Sequence, residues 1–400
     1  MTRSSHWVVV GGGMAGASCA YHLALDGHRV TLIERGGLAS GTSGAGQNNI
    51  GVPLGAGEAL AYFLAAFETY RELLGAGFDF GFHRHGHLYV ALDREVADRA
   101  RLAAVQLRDA GVAVRLLGHR ELEAAEPRLA RTVEASVLLP DGAQVSPVQT
   151  VHELAAAATR LGARMVTGTT VTGITVRRGR FNSIETSAGR FDADGMVIAA
   201  GVWSRELGAL AGVNVPVLPR KGQLLVSEAA PGWMTHSVLD FGFDLALMAG
   251  TSQATHGPIV GTVIQPLPSG NILVGGSYED GGLDRTVDRD VVGRIAREAV
   301  RIMPDIASLQ IVRTWAGLRP ATADGWPLVG AVSRIRGLML ATGHGSGGID
   351  GGPLAGHLIA DLVAGRRIPA GLGALDPARL GDALYASSPG YAAPSTDVAG

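Results

Sequence analysis

Residues 7–34 of this chain read WVVVGGGMAGASCAYHLALDGHRVTLIE, and this stretch decides the fold. The apolar run Trp7 to Val10 leads into a glycine cluster in which Gly11, Gly13 and Gly16 fit the pattern G-x-G-x-x-G. A bare match would carry little weight in a chain with 58 glycines. Here a strand precedes the cluster and a helical stretch follows it, so the motif predicts a dinucleotide-binding βαβ unit.

Each residue of the motif has a separate physical task. Gly11 allows a tight turn, Gly13 lets a pyrophosphate approach the backbone, and Gly16 lets the helix pack close to the strand. The helix N-terminus then offers free N–H groups to the phosphates. The second strand, Arg29 to Ile33, ends in Glu34, which suits a ribose diol and repels a 2′-phosphate. The unit therefore predicts FAD or NAD rather than NADP.

Composition bounds the class of protein. A chain of 400 residues favours two domains. The formal net charge of −2 predicts no nucleic-acid partner. The single cysteine, Cys19, excludes a disulfide framework and a cysteine-based zinc site. No signal peptide is recognised before the first strand, and no apolar run is long enough to cross a bilayer, so a cytoplasmic protein is expected.

The order of the predicted elements indicates an α/β protein with a second, α+β domain. Strand and helix patterns of the βαβ type occur at the start, middle and end of the chain, whereas residues 217–280 carry β-type segments separated by turns. We expect a Rossmann-like cofactor domain with an inserted antiparallel-β substrate domain. The predicted boundaries are 1–80, 145–215 and 320–370 for the cofactor domain, 81–144 and 216–319 for the substrate domain, and 386–400 for a disordered tail.

Five stretches, in order along the chain, resemble motifs of the FAD-dependent D-amino-acid oxidase superfamily. Within it they resemble most the glycine oxidases, the sarcosine oxidases and the β subunits of amino-acid and opine dehydrogenases. The stretches are GGGMAG at 11–16 with Glu34-Arg35, ASGTSGAGQNN at 39–49, AAGVWS at 199–204, WAGLRPATADGWPLVG at 315–330 and ATGHGSGG at 341–348. The resemblance covers nearly all of residues 6–366.

This resemblance implies an FAD-dependent oxidoreductase. Such an enzyme oxidises the C–N bond of an amino acid or N-substituted amino acid by hydride transfer to flavin N5, giving an imine and then an oxo acid. The implied partners are a small-molecule amine or amino-acid substrate and either oxygen or an electron-acceptor protein. Some relatives attach FAD to a cysteine in their C-terminal region; this chain has none there, so noncovalent FAD is expected.

The resemblance also assigns cofactor-binding residues in four groups. The pyrophosphate contacts are Gly11, Gly13, Met14, Ala15 and Gly16, and Gly201 is a further cofactor-binding residue. The adenosine contacts are Glu34, Arg35 and Val171, and the flavin contacts are Thr42, Ser43, Gln47, Asn48 and Asn49. The pyrimidine-edge contacts are Gly343, His344, Gly345, Ser346, Gly347, Gly348 and Ile349. The last placement also follows from physical reasoning. A glycine-rich turn at a helix N-terminus offers N–H donors to the flavin edge where negative charge develops on reduction.

Arg319 is the foremost catalytic candidate. In glycine oxidase-like members the Arg of G-L-R-P binds the substrate carboxylate, and Gly317-Leu318-Arg319-Pro320 matches that motif. A planar guanidinium can hold a carboxylate through two hydrogen bonds and so orient the α carbon. The alternative is a structural arginine in a salt bridge.

Two further residues are catalytic candidates with open alternatives. Lys221 is the only lysine of the chain, and a lysine near flavin N5 could promote oxygen reduction. The alternative is a basic residue at a strand end. His344 lies in the predicted flavin loop, where it could bind flavin or substrate or serve a structural role. His83, His85 and His87 alternate along one strand, but no carboxylate or cysteine stands nearby in sequence, and no metal is predicted.

The sequence also departs from the glycine oxidase pattern. Relatives place a second Arg and a bulky aromatic where Gly345 and Ser346 stand, and a substrate-lining Tyr appears replaced near Val263. The substrate is therefore predicted to be handled differently from glycine.

Three other functions are alternatives to an oxidase. One is a flavin-bearing β-type subunit of a multi-subunit amine, opine or proline dehydrogenase, and another is a noncatalytic flavoprotein. Homo-oligomers and hetero-oligomers both stay open. An NAD-dependent dehydrogenase is disfavoured because no second complete βαβ unit, with G-x-G-x-x-G at its turn and an acidic residue after its second strand, is recognised.

Overall fold

The computed structural model describes residues 4–250 and 257–386. Almost all of the predicted disordered tail, 386–400, lies outside the described residues. The α-helices are α1 Met14–Leu25, α2 Leu60–Gly75, α3 Arg94–Asp109, α4 His119–Ala125, α5 Pro147–Arg160, α6 Ser204–Leu210, α7 Phe241–Gly250, α8 Arg289–Ile302 and α9 Gly348–Val363. Among the described residues, none of these helices meets the length and hydropathy needed to cross a membrane.

The strands are numbered in chain order. They are β1 His6–Val10, β2 Arg29–Ile33, β3 Asn49–Ile50, β4 His83–Arg84, β5 His87–Ala91, β6 Arg115–Leu116, β7 Ala135–Leu139, β8 Ala143–Gln144, β9 Arg164–Val166, β10 Val171–Arg177, β11 Arg180–Thr186, β12 Gly189–Asp192, β13 Gly195–Ile198, β14 Leu218–Ala229, β15 Ser237–Asp240, β16 Ile259–Pro266, β17 Asn271–Asp280, β18 Ile311–Ala321, β19 Leu328–Ala331 and β20 Leu338–Thr342.

A six-stranded sheet forms the centre of the cofactor half, in the order β19-β20-β13-β1-β2-β9. The strands from β20 to β9 are parallel, and β19 is an antiparallel edge strand. Apolar residues of α1, α2, α5 and α9 form the core on one face. Residues of α6 and of the antiparallel sheet β10-β11-β12 form the core on the other. Covering both faces explains why the central strands are continuous apolar runs, and the predicted α/β class is confirmed.

A second, eight-stranded sheet has the order β18-β14-β17-β16-β15-β5-β7-β6. Its pairs are antiparallel except β15 with β5. Helix α8 packs on one face and α3 on part of the other. The two large sheets draw their strands from different parts of the chain. This favours the predicted domain boundaries, which stay a prediction.

The elements differ from the sequence prediction mainly in the second domain. Strands β4 and β5 are separate because Gly86, whose φ is +75°, ends β4 before β5 begins. The region 217–280 was predicted as strands and turns, yet it also contains α7. The sequence FGFDLALMAG of this helix is an apolar run, and such a run does not distinguish a buried helix from a strand by periodicity.

Candidate active site

A cavity of about 1260 Å³ lies between the two large sheets. Residues at the carboxyl ends of β1, β2, β13 and β20 form one side, as expected for a ligand site in an open parallel sheet. Residues of β5, β14, β15, β16 and β18 form the other. The volume exceeds the roughly 300–1,000 Å³ usual for small ligands, so there is room for a dinucleotide and a substrate together.

The glycine turn between β1 and α1 has the close packing that the motif predicts. Gly11 has φ +118°, and a Cβ there would collide with the carbonyl oxygen of Ala199. A Cβ on Gly16 would collide with the carbonyl oxygen of Gly11. The backbone N–H of Met14, in the first turn of α1, donates to Ser43 Oγ at 3.0 Å. The start of α1 therefore opens toward the cavity, with a hydroxyl at the place where an anion is favoured.

Glu34 and Arg35 line the cavity beyond the end of β2. The Glu34 carboxylate accepts hydrogen bonds from the N–H groups of Gly12, at 2.6 Å, and Gly36, at 2.8 Å. It thereby fixes the glycine turn as well as facing the cavity. The Arg35 guanidinium lies 3.6 Å from the centroid of the Trp203 ring, a cation–π contact that holds its position.

The second predicted flavin loop, residues 39–49, is tied to β18. Thr42 Oγ1 donates to the Leu318 carbonyl at 2.5 Å, and Trp315 Nε1 donates to the Ala45 carbonyl at 3.1 Å. Gln47 lines the cavity, and its buried Nε2 has no hydrogen-bond partner within the described chain. Buried amide groups are rarely left unpaired, so this atom marks a ligand contact.

The third predicted flavin loop precedes α9. His344 is buried, its Nε2 has no partner in the described residues, and burial lowers its pKa to about 4. It is therefore a neutral imidazole available for a hydrogen bond at neutral pH. In the first turn of α9, Asp350 Oδ1 accepts the Gly51 N–H at 3.0 Å, and burial raises the pKa of this carboxyl to about 7.

Arg319 points into the cavity from β18. Its Nη1 donates to the Ser277 carbonyl at 3.0 Å, and its guanidinium occupies the space above Gly222, where any Cβ would collide with it. Burial lowers the pKa of the guanidinium, opposed by the charges of Tyr278 and Glu279. Within the described part of the chain, this one hydrogen bond leaves most of the five guanidinium N–H donors free for a ligand.

Lys221 does not line the cavity. It immediately precedes Gly222, which does, and successive residues of a strand face opposite sides. Its Nζ donates to the Thr286 carbonyl at 3.2 Å and lies 3.7 Å from Glu279 and 3.5 Å from Asp284. This placement favours the structural alternative, and a catalytic role for Lys221 stays a prediction without support from its position.

The cavity brings most of the predicted site residues together. Those that line it are Gly11, Gly13, Met14, Ala15, Glu34, Arg35, Thr42, Ser43, Gln47, Asn49, Val171, Gly201, Arg319, His344, Gly345, Ser346, Gly347, Gly348 and Ile349. Gly16, Asn48, Lys221 and Gly343 do not line it. Gly16 and Asn48 instead support the wall. The Asn48 carbonyl accepts a hydrogen bond from the Val145 N–H, and Gly16 lets α1 pack against the backbone of Gly11.

Sequence reasoning missed several residues of the cavity wall. Tyr89, Asp244, Arg285 and Asp350 line it, and so does His87, which the sequence offered only as part of a histidine series. Asp244 had a usable signal, a single charge within an apolar run. Among the described residues no cluster of His, Cys, Asp and Glu could hold a metal ion. His85 and His87 instead approach Ser237 Oγ, at 2.7 Å, and the Ala143 carbonyl, at 3.1 Å.

These residues fit FAD. The glycine turn leaves a cradle that side chains would fill, and two residues that line the cavity, Gln47 and His344, each have a buried Nε2 without a partner among the described residues. The first feature suits a pyrophosphate and the second suits the polar edge of a flavin ring.

Comparison with known proteins agrees with this fit. Residues 6–362 match the DAO family model, described as FAD dependent oxidoreductase. The chain is 33% identical over 379 residues to a glycine oxidase of Geobacillus kaustophilus, covering 91% of this chain and 94% of that one. It is 29% identical to the hydrogen cyanide synthase subunit HcnC of Pseudomonas aeruginosa, covering 92% and 94%.

A crystal structure of glycine oxidase from Geobacillus kaustophilus superposes with a TM-score of 0.81 and 30% identity, covering 94% of this chain and 98% of that one. The superfamily and the cofactor predicted from the sequence are confirmed. The chain belongs to the DAO family of FAD-dependent oxidoreductases, and its cofactor is FAD.

Proposed function

We propose that this enzyme oxidises the C–N bond of an amino acid or N-substituted amino acid to an imine, which water hydrolyses to an oxo acid and ammonia or an amine. The observation that carries the proposal is a cationic guanidinium, Arg319, pointing into the cavity that fits FAD. Relatives named glycine oxidase support an amino-acid substrate. When bound, FAD supplies the acceptor for the hydride, which carries both electrons of the oxidation.

Arg319 would bind the substrate carboxylate. A guanidinium held by Ser277 on one side keeps a fixed plane, and a carboxylate can accept two parallel N–H bonds from its free edge. Fixing the carboxylate leaves the α carbon few orientations, which lowers the entropy cost of reaching the reacting geometry.

The apolar wall beside Arg319 would keep water away from the reacting carbon. Leu224, Leu239 and Val263 line the cavity and are each buried. A dry wall strengthens the attraction between Arg319 and a carboxylate, because little solvent screens it. It also favours binding of the neutral amine, so a dedicated base is not required.

A second candidate is the flavin-bearing subunit of a larger dehydrogenase. The observation that favours it is the relative of 29% identity that is named as a subunit, HcnC. A noncatalytic flavoprotein is a third reading. The electron acceptor, oxygen or a protein, and the cytoplasmic location stay predictions. Purified holoenzyme that is reduced by an amino acid and forms peroxide in air, without a second chain, would exclude the second and third candidates.

Substitution of Arg319 tests the carboxylate role. In anaerobic stopped-flow reduction of the bound flavin by the best amino acid, Arg319→Ala is expected to lower the apparent second-order rate constant by about 10²-fold or more, because charge-assisted hydrogen bonds contribute about 1.5–3 kcal/mol each. Arg319→Lys should fall between, since it keeps the charge without the planar donor pair.

The matched control is Arg313→Ala. Arg313 lies on the same strand, β18, but is exposed and does not line the cavity. The bound flavin of Arg313→Ala should be reduced as fast as that of the parent. Equal rates for Arg319→Ala and the parent would show that the carboxylate is held elsewhere.

A further inference from the structure

One row of residues forms a floor across the second sheet. Tyr89 pairs with Leu239, Leu239 with Val263, Val263 with Gly275, and Gly275 with Leu224. Residues paired in this way point to the same face of a sheet. All except Gly275 line the cavity, so the row is a largely apolar floor running from β14 to β5.

Arg319 stands at the β14 end of this floor. Its guanidinium lies above Gly222 of β14, and its Nη2 is near Gly276 of β17. A substrate whose carboxylate is bound there has the apolar floor along the rest of its length.

Asp244 stands toward the opposite end. Helix α7 follows β15 and turns back over the same face of the sheet, where the Phe243 ring occupies the space above Gly261 of β16. The ring of Phe241 contacts that of Tyr89 on β5, with centroids 6.2 Å apart. Asp244 follows these two phenylalanines in the first turn of α7 and lines the cavity.

The Asp244 carboxylate has no hydrogen bond or ion pair with any residue in the described ranges. Its neighbour Asp240, in contrast, accepts the Gly242 N–H at 2.9 Å. Burial, with added repulsion from Asp240, raises the pKa of Asp244 to about 7. The pKa of Tyr89 is raised mainly by burial and further by the charges of Asp244 and Asp350, so negative charge concentrates around this end of the floor. Desolvated carboxylates without a partner are costly, and a cationic ligand would remove that cost.

We infer that Asp244 binds a second cationic group of the substrate, an ammonium or guanidinium on its side chain, while Arg319 holds the carboxylate. The inference rests on the proposed function, because it assigns a substrate class, basic amino acids and their N-substituted forms, to the same cavity. It also gives a reason for the departures at Gly345, Ser346 and Val263, since a longer substrate needs the space that larger residues would fill.

The dimensions agree with this class. Moving from the β14–β17 pair to β15 crosses two or three strand spacings, about 10–15 Å. A carboxylate and an ammonium separated by four to six carbons span about 6–9 Å. Adding a hydrogen bond of about 3 Å at each end gives about 12–15 Å, which matches the floor.

The test is a binding measurement on the holoenzyme that needs no turnover. Dissociation constants of 4-aminobutanoate, 5-aminopentanoate and 6-aminohexanoate are compared with those of butanoate, pentanoate and hexanoate, from the perturbation of the flavin absorption spectrum at pH 8. We expect at least one ω-amino acid to bind about 10-fold or more tightly than its matched carboxylate. Asp244→Asn should reduce that ratio to about 1.

The control variant is Asp109→Asn, which removes the same formal charge from an exposed position outside the cavity and should keep the parent ratio. Should Asp244→Asn fail to fold, Asp244→Glu is expected to keep the preference but shift it toward a shorter ligand. A parent ratio near or below 1, or a ratio unchanged in Asp244→Asn, would overturn the inference. The inference would also be overturned if Asp244→Glu preferred an ω-amino acid of the same chain length as the parent does.

Failure of the reaction proposal would look different. If no amino acid reduces the flavin although the binding ratio holds, the proposed oxidation is wrong and the Asp244 site stands. If neutral amino acids such as norleucine reduce the flavin as well as lysine and ornithine do, and the binding ratio is 1, the oxidation stands and the Asp244 site is wrong.

Discussion

His87 and His344 show how burial sets the protonation state of single residues in the cavity wall. Desolvation lowers the pKa of each to about 4, helped at His87 by the neighbouring His85. Both rings are therefore neutral near pH 7. For His87 the Nε2 lies 3.1 Å from the Ala143 carbonyl, whereas His344 Nε2 is unpaired in the described chain, so His87 supports the wall and His344 can contact the ligand.

The buried His87 predicts a specific loss of stability in acid. Its pKa is near 6.5 when unfolded and about 4 when folded, so the unfolded chain takes up the proton first as pH falls. This contribution is fully present above pH 6.5 and is lost as the pH falls toward 4. In His87→Gln the fall in unfolding free energy between pH 7.5 and 4.5 should be smaller by about 2 kcal/mol.

Urea denaturation at the two pH values checks this. His152→Gln, at an exposed position of α5, is the control and should keep the acid dependence of the parent. An unchanged acid dependence in His87→Gln would contradict the assignment.

Site residues that belong to a local motif were predicted from the sequence, whereas those brought together only by the fold were missed. Arg319 was found from G-L-R-P, and it does point into the cavity. Lys221 was predicted from its rarity and from what a lysine near flavin N5 could do, and neither ground carries information on which face of a strand it takes. Asp244 and Asp350 lie more than 100 residues apart in sequence, and their nearness to Tyr89 appears only in three dimensions.

Among the elements, helices α1 and α9 are held unusually close by glycines. A Cβ on Gly356 of α9 would collide with Ser18 and with the backbone of Cys19, and one on Gly352 would collide with Met14. This contact fixes the start of α9, which carries the third flavin loop, against the start of α1, which carries the glycine turn.

Gly356→Ala is therefore expected to destabilise the protein, although alanine is the better helix former by about 1 kcal/mol. The new methyl group meets backbone atoms that cannot move aside cheaply, and such overpacking costs about 1–3 kcal/mol. Thermal unfolding of the holoenzyme measures the effect. Gly293→Ala in α8, where only the flexible end of Arg297 is near, should be neutral or stabilising. Equal melting temperatures for Gly356→Ala and Gly293→Ala would contradict this packing argument.

How well an element was predicted depended on its apolar periodicity and on the residues that mark its ends. The two strands of the first unit, β1 and β2, were predicted to within one residue, because a glycine cluster and an acidic residue bound the unit. The α8 helix forms at Arg289–Ile302 on a clear apolar stripe. Strand β6 has only two residues, Arg115 and Leu116, and both are exposed, so no alternation of buried and exposed side chains marks it in the sequence.

Over the whole molecule, the α/β class and the superfamily followed from the order of motifs. The arrangement of the second sheet did not, because strand order and the return of α7 across its face depend on contacts between distant segments. The consequence for function is direct. The cofactor cradle belongs to one sheet and Arg319 to the other, and the proposed reaction needs both sides of the cavity.

The most direct test of this account compares acids with their decarboxylated amines. Anaerobic flavin reduction is followed for matched pairs, lysine with 1,5-diaminopentane, alanine with ethylamine and proline with pyrrolidine, each acid as both enantiomers. If Arg319 holds the carboxylate, at least one amino acid bleaches the flavin, and its amine does so at least about 10²-fold more slowly, because the amine has no group for Arg319. Equal reduction by acid and amine, or no reduction by any acid, would contradict it.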